Sequence, residues 1–171
     1  MPEQLMEQVI HTVLTGDARK NALEFVAHLR ANDLLLERVE DGYWKDKPYW
    51  RIQYKDASVC FVFIHGSPAR YPGEPEGWMI WTDDSGSDWF ADEPLDASLR
   101  ETAWEHVDFC GQCTPDGPCA GESRKTIFGK AFDHVCRTPM FFLNPDRKAL
   151  DCVKKLVEIR KADILSNARR S

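Results

Sequence analysis

The 171-residue chain contains no apolar run approaching the ~20 residues that a membrane-spanning helix requires. Its first residues, MPEQLMEQVIHTVLTGD, lack both the basic start and the continuous apolar stretch of a secretion leader. These two absences predict a cytoplasmic setting, where thiols stay reduced. The familiar catalytic signatures are missing too. There is no GxSxG, HExxH or GxGxxG. A phosphate loop fails at both places that hint at one: Glu122 follows Gly121, and Gly129-Lys130 is followed by Ala131, with Arg124 where the first glycine belongs. TDDSGSD (82–88) suggests a calcium loop, but the twelfth position counted from Asp83 or Asp84 is Pro94 or Leu95, not glutamate. No nucleophile–base pair stands at readable spacing, so the sequence leans away from an enzyme.

Positive charge is scarce over most of the chain. Residues 1–123 carry 10 basic and 23 acidic side chains, whereas residues 124–171 carry 12 basic and 5 acidic. Between Asp83 and Asp108 a single Arg100 stands against nine acids. One reading is two solvated faces that neutralise each other in the fold. The other is a basic C-terminal third that meets phosphates through Arg124, Lys125, Lys130, Lys154, Lys155, Arg160 and Lys161. The overall charge of −6 argues against nucleic acid.

The hydrophobic fraction of 43% suits one soluble domain over 1–171. Leu5, Met6, Val9, Ile10 and Val13 recur at helical spacing, and Gly16 reads as the end of that helix. Asp17 caps a second helix, striped by Ala22, Phe25, Val26 and Leu29. LLLERV (34–39), YWRIQYK (49–55), SVCFVFIHG (58–66) and WMIWT (78–82) read as strands, the third apolar on both faces. A helix opens at Asp96 and runs through Val107. Residues 125–143 are ambiguous, with PMFFL (139–143) the clearest strand. Asn144-Pro145-Asp146 starts a last helix that runs to about Leu165. Clustered strands predict α+β: an antiparallel sheet of about four to five strands, packed by N-terminal and C-terminal helices.

What is present is a cysteine constellation. Residues 109–122 form a Cys-rich, Gly/Pro-rich loop, FCGQCTPDGPCAGE. Cys110 and Cys113 have the spacing at which two thiolates reach one tetrahedral ion, and Cys119 follows after a turn-forming stretch. The expected cofactor is a structural Zn2+. Cys136 is the leading fourth ligand, with His134 and His106 as alternates. Cys136 has a rival role as a core residue if KAFDHVCR is helical; as a strand, that segment puts His134 and Cys136 on one face. A thiol redox pair of Cys110 and Cys113 is the alternative, although such pairs open a helix after a strand and this one follows a helix. Cys60 and Cys152 read as small core residues.

Large aromatics cluster in the strand region. Trp44, Trp50, Tyr54, Trp78 and Trp81, with His65 at a strand end, are the candidate lining of a cleft for a small molecule or a protein partner. Finally, WEHVDFCGQC, GESRKTIFGKAFDHVC and NPDRKALDCVKKLVEIRKADI resemble segments of a family of short cysteine-containing bacterial proteins of Firmicutes type, for which no activity is established. The resemblance spans most of residues 40–165. It implies a bacterial source and a single cytosolic domain, and it implies no mechanism.

Overall fold

A computed structural model describes residues 5–40, 49–65, 77–110 and 123–170. The element order is α1 (Met6–Val13), α2 (Gly16–Ala31), β1 (Leu35–Arg38), β2 (Tyr49–Tyr54), β3 (Ala57–His65), β4 (Gly77–Thr82), α3 (Ala97–Glu105), β5 (Val107–Phe109), β6 (Ser123–Ile127), β7 (Lys130–Leu143) and α4 (Arg147–Arg170). The architecture is α+β, with an antiparallel sheet flanked by N-terminal and C-terminal helices, as the strand clustering predicts. Among the described residues the sheet has seven strands rather than four to five. Its order is β1-β2-β3-β4-β7-β5, and β6 pairs with β7.

The extra strands come from the ambiguous region. Residues 123–143 form a hairpin in which Ile127 pairs with Lys130 around Phe128 (φ +48) and Gly129 (φ +86). Two consecutive positive φ values make the two-residue turn whose twist matches paired strands. Lys55 (φ +49) and Asp56 (φ +66) close β2–β3 the same way. β5 takes Val107, the expected last helical residue; α3 stops at Glu105, with His106 as its C-cap. Asp96 caps α3 as expected, accepting the Ser98 N–H at 3.0 Å. Gly16 opens α2 instead of closing α1. At α4 the cap is Asp146, which accepts the Ala149 N–H at 2.9 Å. Asn144 instead locks onto β4: its N–H donates to the Trp78 carbonyl and its Oδ1 accepts the Trp78 N–H at 3.0 Å.

The register sorts the sheet's side chains into two faces. The row Trp50–Val62–Ile80–Phe142 faces the helices and is fully buried. Ile10 of α1, Phe25 and Leu29 of α2, and Leu150, Val153 and Leu156 of α4 complete that core. Each such side chain contributes roughly 1.5–3 kcal/mol by leaving water. The opposite face carries the rows Tyr49–Phe63–Met79–Leu143 and Arg51–Phe61–Trp81–Phe141. Phe63 and Met79 are buried there, with Tyr49, Trp81, Phe141 and Leu143 half-buried around them.

Candidate functional site

β7 is the strand that pairs with the described residues on either side of the cysteine segment. Val135 pairs with Phe109 of β5 on one side and with Ser123 of β6 on the other. Two strand spacings separate those partners, about 10 Å. The segment 111–122 joins them. Cys110 follows Phe109, and its N–H donates to the His134 carbonyl at 2.8 Å.

Both ladders on β7 are irregular here. Asp133 and His134 together face the single Arg124 of β6, and His134 takes a left-handed backbone conformation (φ +59). On the β5 side, residues 136–139 stand opposite Asp108 alone. Bulges of this kind re-aim side chains, and Pro139 has no N–H to give to the ladder. Val135 is fully buried in the core. His134 is exposed. Cys136 is 8% exposed, lies outside the apolar core cluster, and has its Sγ 3.5 Å from Thr138 Oγ1.

The strand reading of KAFDHVCR is therefore the observed one, and Cys136 is not a helix-face core residue. Cys113 and Cys119 lie outside the described residues. Among the described residues no group of three or more His, Cys, Asp or Glu side chains is placed to hold a metal. His106 is held elsewhere. Its Nδ1–H donates to the Thr102 carbonyl at 2.7 Å, and its ring stacks on Phe142 at 4.4 Å. The three residues of β5 separate it from Cys110. The other two thiols are core groups, as expected. Burial, and secondarily the Asp83 charge, pushes the Cys60 thiol far up, and burial pushes Cys152 up to about 12. Neither forms a thiolate at neutral pH.

The described members of the candidate aromatic set do not share one face. Trp50 and Trp78 are each 1% exposed in the helix-side core. Tyr54 is half-buried on that side, with Lys161 Nζ 4.9 Å from its ring. Trp81 lies on the opposite face, 5.0 Å from Phe141 and edge-on to Phe63 at 6.0 Å. His65 ends β3 opposite Gly77; its side chain, and Trp44 altogether, lie outside the described residues. Parity alone separates Trp78 from Trp81, because residues three apart on a strand face opposite ways. The residues that accompany Trp81 are Phe61 and Phe141, which sequence reading did not single out. Their face ends in a cleft of about 290 Å³ lined by Glu105, His106, Asp108, Phe141 and Leu143. Near its other end is one of about 310 Å³ lined by Glu37, Tyr49, Arg51, Phe61 and Asp84.

Much of the C-terminal positive charge meets groups of the fold. Arg124 pairs with Asp133 at 3.0 Å, and Lys154 with Glu24 at 2.5 Å. Lys130 sits 5.1 Å over the Trp104 ring, and Lys161 donates to the Asn32 carbonyl at 2.7 Å. Arg160 is buried beside Asp83.

Fold and placement together define the class: among the described residues, an α+β domain on a seven-stranded antiparallel sheet. No known protein family, curated protein or solved structure matches the chain. No helix among the described residues is long and apolar enough to cross a membrane.

Proposed function

We propose that this chain is a non-enzymatic binding domain whose cysteine segment is clipped by a structural zinc ion. Cys110, Cys113 and Cys119 supply three ligands, and β7 supplies the fourth. The observation that carries the proposal is the double pairing of Val135. It anchors both ends of segment 111–122 beside Cys110, His134 and Cys136. Chain length then holds Cys113 within about 11 Å of Cys110, and Cys119 within about 14 Å of Ser123. A tetrahedral zinc with bonds of about 2.3 Å would tie a long connection to the sheet. In this reading the partner, a small molecule or a protein, meets the sheet face bearing Phe61, Trp81 and Phe141. The likeness to short bacterial proteins, and the reduced cytosol that thiolate ligands need, belong to the same proposal.

Elemental analysis of dilute purified protein tests it; about one zinc per chain is expected. Thiol titration gives the second arm. Zinc thiolates become reactive only after chelation, whereas a redox pair of Cys110 and Cys113 reacts at once or is found oxidised. A metal-free chain with unchanged folding sinks the proposal. Salt-sensitive binding to random DNA or RNA would favour the nucleic-acid reading instead.

A further inference from the structure

We infer that the cleft at the C-terminal end of α3 takes a small organic cation, an apolar body carrying an ammonium group. The inference rests on the outer sheet face being the binding face, and it does not depend on the zinc clip. The cleft holds about 290 Å³ and is lined by Glu105, His106, Val107, Asp108, Phe141 and Leu143. A cavity of about 150 Å³ accepts a benzene ring, so there is room for one ring and a short chain. Phe141 and Leu143 supply the apolar wall, with the Trp81 ring 5.0 Å from that of Phe141.

The polar groups select the sign of the ligand. The lining holds two carboxylates, Glu105 and Asp108, and no lysine or arginine. Arg100, the single base between Asp83 and Asp108, lies over the Trp104 ring at 5.3 Å instead. Glu105 is the last residue of α3 and His106 its C-cap, the helix end where a cation is favoured. His106 adds an acceptor. The Thr102 carbonyl can only accept, so Nδ1 carries the ring proton. Nε2 of the neutral ring is then a lone pair, and no group among the described residues bonds to it. The stack on Phe142 at 4.4 Å fixes the ring. An ammonium group would meet this acceptor, the two carboxylates and the face of Phe141. An anion would meet the same carboxylates as repulsion. The adjoining cleft of about 180 Å³ shares Glu105, His106 and Leu143, but it sets Lys148 beside Asp146 and so discriminates less.

NMR titration of the full chain with phenethylammonium, phenethyl alcohol and phenylpropionate tests the inference. Saturable shifts of the His106 imidazole, Phe141 and Leu143 are expected with phenethylammonium, weaker ones with the alcohol and none with phenylpropionate. Added salt should weaken the ammonium probe and not the alcohol. Glu105 is exposed, so Glu105→Gln should weaken phenethylammonium only about two- to fivefold, and should leave the alcohol unchanged. His106→Phe keeps a ring against Phe142 and removes the acceptor; it too should weaken the ammonium probe alone. If that variant fails to fold, the three probes on the wild type still decide. Equal shifts from all three probes overturn the inference. Shifts at Phe61 and Trp81 but not at His106 overturn it and leave the binding face standing. No shift from any probe overturns it together with the small-molecule reading of that face.

Discussion

Arg160 of α4 reaches the carboxylate of Asp83, just beyond β4, at 3.5 Å, with both side chains almost wholly buried. Asp83 also accepts the Trp89 indole N–H at 2.7 Å and the Ser85 hydroxyl. Arg160 donates to the Ser58 carbonyl and to Asp163, each at 3.0 Å. The pair thus joins the last helix to the start of β3 and to the loop after β4. Arg160→Ala leaves a buried carboxylate without its cation and should cost about 3–5 kcal/mol in urea unfolding. Replacing both partners, Arg160→Met with Asp83→Leu, should cost less than the single change. Equal losses would show that the ion pair itself is not what holds the junction.

Acid should loosen the packing of α2 on α4. Glu24 accepts from Arg147 and Lys154, and these hydrogen bonds, Arg147's first, hold its carboxyl down at about 2. A carboxyl lowered by folding stabilises the fold above its ordinary value of 4.5, and that contribution fades as pH falls toward about 2. Glu7, lowered chiefly by its bond from Arg30, acts in the same direction. Both groups face solvent, so the effect is modest and shrinks with salt. Urea midpoints measured between pH 5 and pH 2 should fall less steeply in Glu24→Gln than in the wild type.

Gly77 cannot accept a side chain while Asn144 keeps its place. A Cβ at Gly77 would overlap the Asn144 carboxamide. The amide would have to swing away, leaving the Trp78 N–H without its acceptor. Gly77→Ala is therefore expected to cost about 1–3 kcal/mol. Much of that loss should vanish when Gly77→Ala is made in an Asn144→Ala background, because the two residues share one contact. Additive losses in a denaturant double-mutant cycle would refute the coupling.

The sheet face away from the helices should be energetically uneven. Phe63 is buried between Tyr49 and Met79 in its row, whereas Trp81 in the next row is half-buried. Phe63→Ala should cost about 3–5 kcal/mol, and Trp81→Ala distinctly less despite the larger ring. Thermal or urea unfolding of the two variants decides the order. The reverse order would mean that Trp81 anchors the fold and is not available to a partner.

Legibility followed the range of the interactions. β2 and β3 were readable because Trp50, Ile52 and the run from Val59 to Ile64 announce burial locally. Asp96 and the stripe of α4 were readable for the same reason. The β6–β7 hairpin was not, since its turn is Phe128-Gly129 and lacks the Asn-Gly or Asp-Gly that usually marks positive φ. β5 was hidden because Val107 also fits the helical stripe of Leu99 and Ala103. The aromatic set reads as one cluster because its members crowd the strand region, while strand parity already places Trp78 and Trp81 on opposite faces. The Asp83–Arg160 pair and the shared partner Val135 left no local trace, because each joins residues far apart in the chain.

β7 pairs with β4, β5 and β6, and all three precede it in the sequence. A chain growing from its N-terminus therefore makes β5 and β6 before their common partner exists. Until residues 130–143 emerge, those two strands have no place in the sheet, and the β4 edge that will receive Phe141–Leu143 stays open. Completion of the sheet thus waits for residues 130–143, after which α4 arrives to cover the core. A chain stalled or truncated before Lys130 would carry exposed strand edges of the kind that aggregate.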